Sequence, residues 1–148
     1  MNKFSFQKFI SLIIFSILIT HCSDSGNPAM SEDEPELIDY YADNIQPIFS
    51  NSCGGGCHIG GTQGGLDLSP NVSYDNLISV GANGYPGSVR VAPFDAANSV
   101  LYNKIANTGM SGQQMPPGGP MLSASEITLI EDWINDGAPF QIEQTEGE

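Results

Sequence analysis

Basic side chains are nearly missing from this chain: 4 Lys+Arg stand against 17 Asp+Glu in 148 residues, a formal net charge of −13. Two of the four, Lys3 and Lys8, fall in the first eight residues, which leaves only Arg90 and Lys104. So few cations cannot neutralise a phosphate backbone, and nucleic acid is excluded as a partner. An anionic membrane surface would repel the chain as well. Histidine occurs twice, at His21 and His58, and cysteine three times, at Cys22, Cys53 and Cys57. The most apolar run, Phe9 to Ile19, has 11 residues, too short for a hydrocarbon core that takes about 20. No internal repeat is present.

The opening residues have the layout of an export signal: Lys3 and Lys8, then the short apolar run. Leu18-Ile19-Thr20-His21-Cys22 follows. It resembles the lipobox of bacterial lipoproteins, in which the cysteine becomes the diacylated first residue, although that box prefers a small residue where His21 stands. The resemblance implies a signal peptide over residues 1–21 and a lipid on Cys22. An ordinary secretory signal or a short uncleaved anchor is the alternative. Cleavage would leave 127 residues, enough for one domain, with 2 basic against 17 acidic side chains. Membrane attachment would then rest on acyl chains.

Residues 22–36 are polar, acidic and contain two prolines, a composition that reads as a flexible tether. The folded domain is expected over 37–140, with a disordered acidic tail over 141–148. With 17 glycines and 10 prolines in the chain, long strands are disfavoured and helices must be short. Four are expected, giving an all-α domain with long Gly/Pro-rich loops. The first covers about Ile38 to Phe49 and the second about Tyr74 to Ser79. The third runs from about Ala96 to Ala106, with Asp95 as N-cap. The fourth follows Ser123-Ala-Ser-Glu126, which has the spacing of a capping box. There Ile127, Ile130, Trp133 and Ile134 share one face, and Asn135-Asp136-Gly137 supplies the stop. The stretches Gly64 to Leu68 and Val89 to Val91 are too short to assign and are either loop packing inward or a two-strand ladder, with loop the favoured reading.

The chemistry centres on Cys53-Gly-Gly-Gly-Cys57-His58. A c-type haem is joined to its protein by two cysteine thioethers, and the histidine after the second cysteine becomes an axial iron ligand. The usual spacing has two residues between the cysteines, and here there are three. Glycines are the residues best able to loop out an extra position. Three other readings compete. A Cys53–Cys57 disulfide suits an oxidising compartment but leaves His58 unexplained. Zinc wants three or four protein ligands and would have to recruit carboxylates. A thioredoxin-like pair would want a βαβ context, which is absent.

With one histidine after residue 21, bis-histidine ligation within the exported chain is excluded. The methionines beyond the signal are Met30, Met110, Met115 and Met121. Met115 precedes Pro116-Pro117, so its backbone is pushed into an extended conformation and the strap behind it is stiff. That setting suits a thioether held against a haem face. The bland alternative is a methionine filling a core gap.

From Ile45 to Pro139 the chain resembles the small single-haem cytochrome c domains of planctomycete type. The matching pieces are Ile45-Gln46-Pro47-Ile48-Phe49, the cysteine motif, Gly64-Gly65-Leu66-Asp67-Leu68, Tyr74 with Asn76-Leu77, and Arg90-Val91. Asn98 to Ile105, Met115 to Pro120, Ile127, Ile130, Trp133-Ile134 and Gly137-Ala138-Pro139 complete the order. The resemblance implies a cytochrome c fold around one haem c, with His58 and Met115 as axial ligands. The three-residue spacer departs from the family, as does Val91-Ala92-Pro93-Phe94-Asp95, where a Pro-Gly-Asp turn is more usual.

Arg90 is the one arginine, and two roles are open to it. Its guanidinium could pair a haem propionate bidentately, or form a surface ion pair worth little. The expected protein is an exported, lipid-anchored one-electron carrier on the periplasmic or cell-surface side of a bacterial membrane. Its redox partners would carry neutral or basic docking surfaces, and it would have no catalysis of its own. A haem-based sensor, or a haem-bearing subunit of a larger surface assembly, is the alternative.

Overall fold

The computed structural model describes residues 36–143. The expected signal, Cys22 and nearly all of the tether lie outside them. Among the described residues no helix is long and apolar enough to cross a membrane. The regular structure is mainly helical: α1 (Gln46–Ser52), α2 (Ser73–Leu77), α3 (Val100–Ile105) and α4 (Ala124–Asn135). A π-helical turn, Tyr41–Ile45, runs directly into α1. The ends of the domain meet in a two-stranded antiparallel ribbon of β1 (Leu37–Ile38) and β2 (Ile142–Glu143), with Ile38 opposite Ile142.

The ribbon corrects the expectation of a tail disordered from residue 141. Gln141 donates its side-chain amide to the Asp39 carboxylate at 2.5 Å, and Tyr41 N–H donates to Phe140 O at 3.0 Å. Polar composition hid this, because backbone pairing asks nothing of side-chain polarity. The start of α3 also differs. Asp95 does not cap it; its carboxylate accepts from the N–H and side chain of Asn98 and closes a turn of its own. Ser99 takes the N-cap position, and its hydroxyl bridges Asp95 O and Ala92 N–H. These turns hold residues 92–99 out of the helix. Residues 66–68 are loop, as expected, whereas Gly64 and Gly65 fall in a short 3-10 turn, Gln63–Gly65, and 89–91 is an irregular segment outside any strand. The latter is tied to its neighbours by the single bridge pairs Ile78–Val91, Gly81–Val89 and Val89–Ser99.

The capping box of α4 is complete. Glu126 N–H donates to the Ser123 hydroxyl at 3.3 Å, and Ser123 N–H donates to the Glu126 carboxylate at 2.7 Å. The Ser123 N–H, together with the Ser123 hydroxyl, which also donates to this carboxylate at 2.7 Å, holds the Glu126 carboxyl below its usual value. A depressed carboxyl stabilises the fold above its unfolded pKa, and that contribution fades as pH falls through the folded value. Ser123→Ala should therefore cost about 1 kcal/mol at neutral pH. In denaturant titrations the gap from wild type should narrow below the ordinary glutamate range.

Tyr41, Ile45 and Phe49 from the first helical segment meet Ile130, Trp133 and Ile134 of α4 in one core, each at most 1 % exposed. Tyr41 is the hub, its ring lying 5.0 Å from Tyr74, 5.4 Å from Trp133 and 6.1 Å from Phe140. The Tyr41 hydroxyl donates to Ser73 Oγ at 2.7 Å, Ser73 donates to Gln46 Oε1, and Gln46 Nε2 donates to Leu68 O at 3.0 Å. That buried relay joins α1 and α2 to the loop ahead of α2. It satisfies groups that would otherwise be costly to bury.

Candidate functional site

The segment after α1 folds so as to fix one imidazole. Gly55 and Gly56 take positive φ, 62° and 79°, which side-chain-bearing residues adopt only with strain. Gly61 then passes so close to this loop that an added Cβ would lie 2.0 Å from Gly56 O. Within this frame His58 is held at three points. Its N–H donates to Cys53 O at 3.3 Å, its carbonyl accepts from Leu68 N–H at 2.6 Å, and Nδ1 lies 3.1 Å from Leu66 O. A carbonyl oxygen can only accept, so Nδ1 carries the proton. Nε2 is then the basic nitrogen, the tautomer of a metal-ligating histidine with a carbonyl behind it.

His58 borders a cavity of about 430 Å³, within the roughly 300–1,000 Å³ range of cofactor and small-molecule sites. Leu66, Leu68 and Leu77 line one part of its wall; Val100, Leu101 and Ile105 of α3 line another. Cys53 and Met115 face the same space. Met115, distant in sequence from Cys53 and His58, thus shares one apolar cavity with them. Burial pushes the Cys53 thiol up to about 11, with the Glu126 carboxylate adding to the shift. It is therefore a neutral thiol at physiological pH. Cys53 is partly buried and Cys57 exposed, and the two are not bonded to each other in the structure. Among the described residues no group of three or more His, Cys, Asp and Glu side chains is placed to hold a metal ion.

Met115 is half-buried at the cavity wall, while Met110 and Met121 are exposed at 70 % and 46 %. Arg90 is not in a surface ion pair. It is buried, with Nη1 donating to Asn76 O at 2.6 Å and Nη2 to Gly65 O at 2.8 Å, and it too lines the cavity. Lys104 and Tyr85, with Gln63 and Asn83, also belong to the polar part of the wall. Sequence reasoning passed over all four as site residues. The signal for Lys104 was its rarity: it and Arg90 are the only basic residues after residue 8, and both border this cavity.

Comparison with known proteins finds no protein-family model, no curated protein and no solved structure that matches the chain.

Proposed function

We propose that this protein is a one-electron carrier of the small single-haem cytochrome c type. It would hold haem c through thioethers at Cys53 and Cys57, with His58 and Met115 as the axial iron ligands. The observation that carries this reading is the shared cavity. A histidine with its Nδ1 proton committed to Leu66 O, a cysteine and a methionine border one apolar space; Cys57, next to His58 in the chain, is exposed and is not among the residues that line it. When bound, the haem supplies an iron that cycles between Fe(II) and Fe(III).

The chain's own residues divide the remaining work. The Leu66 carbonyl fixes the His58 tautomer and raises its basicity as a ligand. The leucines and α3 aliphatics exclude water, and together with a thioether ligand this favours the ferrous state and raises the potential. Arg90 and Lys104 set the only two cations of the described chain beside a cavity in a strongly acidic protein. That placement suits a ligand bearing carboxylates, as haem does. Arg90 would meet a propionate with the donors that Asn76 and Gly65 leave free.

An oxidised-minus-reduced optical spectrum of the purified holoprotein tests the assignment. Low-spin ferrous bands, a weak far-red band in the ferric form and no carbon monoxide adduct are expected. Absence of the far-red band with ready carbon monoxide binding would mean an open sixth position, and would favour a haem sensor instead.

The proposed setting is the periplasmic or outer face of a bacterial membrane, with Cys22 lipidated and partners that are neutral or basic where they dock. Fatty-acid labelling should mark the wild type, and Cys22→Ala should release an exported, soluble form. Unchanged membrane association of that variant would contradict the lipid anchor.

A further inference from the structure

The segment that delivers Met115 has no regular structure of its own. Between α3 and α4 it contains Gly109 and Gly112, both at positive φ, and Met110 at its tip is 70 % exposed. Such a strap has much conformational freedom to lose, so a sulfur on it stays in place only if the strap is tied down elsewhere.

We propose that Lys104 is the positioning residue of this strap, stapling residues 111–115 to α3 through both its backbone and its side chain. Met115 N–H donates to Lys104 O at 3.1 Å, and Lys104 Nζ donates to Ser111 O at 3.0 Å and Gln113 O at 3.5 Å. One residue thus grips the strap both at Met115 and upstream of it. Tyr85 reinforces the upstream grip: its hydroxyl donates to the same Ser111 carbonyl, and its ring lies under Nζ at 5.1 Å. The ammonium therefore makes charge-assisted bonds while resting on an aromatic face. Gln114 adds one neutral bond, to Ile105 O at 3.2 Å. The backbone bond survives any substitution of Lys104, whereas the Nζ bonds do not, so the contribution of the side chain can be isolated.

This inference rests on Met115 as the iron ligand, and its test separates the two claims. Lys104→Met keeps the length and apolar stem of the side chain and deletes its donors. In the holoprotein its far-red band should be lost at a lower temperature than in wild type, and ferrous carbon monoxide binding should rise on the order of tenfold. Helical circular dichroism should melt at nearly the wild-type midpoint, and Lys104→Arg should recover most of the difference. A low-specificity protease should also cut residues 107–114 faster in Lys104→Met. Equal cleavage and equal band stability would overturn the staple. So would loss of the band only at global unfolding, because Lys104 would then support the fold and not the strap. If the wild type shows no far-red band while cleavage still rises, the ligand assignment fails and the staple stands.

Discussion

Met115→Ala should abolish the far-red band of the ferric protein and open the ferrous form to carbon monoxide. His58 is the only histidine among the described residues, so no second imidazole is at hand to replace the lost sulfur. Alanine leaves the sixth position empty or filled by water. The reduction potential should fall by on the order of 100 mV or more, a modest part of the ~0.8 V that axial ligands span. Met110→Ala and Met121→Ala are the controls. Both side chains are exposed and neither lines the cavity, so band, potential and carbon monoxide binding should stay at wild-type values. A band that survives in Met115→Ala but vanishes in one of the controls would move the ligand to that methionine.

Trp133→Ala should be the most damaging change away from the cavity. The indole is 1 % exposed, lies 5.4 Å from the Tyr41 ring and donates Nε1–H to Pro139 O at 3.0 Å. Its loss removes the aromatic contact between Tyr41 and α4, and leaves a cavity the surroundings can only partly fill. A cost of about 3–5 kcal/mol is expected, a large share of the 5–15 kcal/mol that holds a typical domain. Urea titrations of the haem-loaded protein measure it. Phe140→Ala, at a ring 42 % exposed, should cost clearly less. Equal losses at the two positions would show that the Tyr41–Trp133 contact is not what joins the helices.

Where a feature was written in neighbouring residues, it could be read from the chain. Ser123 and Glu126 announce the start of α4 because a capping box closes within four residues, and Ile130, Trp133 and Ile134 face inward at the spacing of one helix face. Cys53, His58 and Met115 stood out for their local chemistry. Asp95 misled because the residue that would cap a helix can equally close an isolated turn through the N–H three residues on, and Asn98 with Ser99 decides between the two. The ribbon of Leu37–Ile38 with Ile142–Glu143 was hidden by a polar tail whose pairing is a backbone matter. The cavity wall was hidden more deeply. Leu66, Tyr85 and Lys104 come together through loops whose paths depend on the tertiary fold, and hydrophobic periodicity says nothing about such paths.

Covalent attachment of haem is the central claim, and one measurement addresses it directly. Holoprotein denatured in acidified acetone should keep its haem on the chain, and its intact mass should exceed that of the haem-free protein with the same N-terminus by one haem. Haem that extracts cleanly, leaving the polypeptide mass alone, would contradict thioether attachment at Cys53 and Cys57.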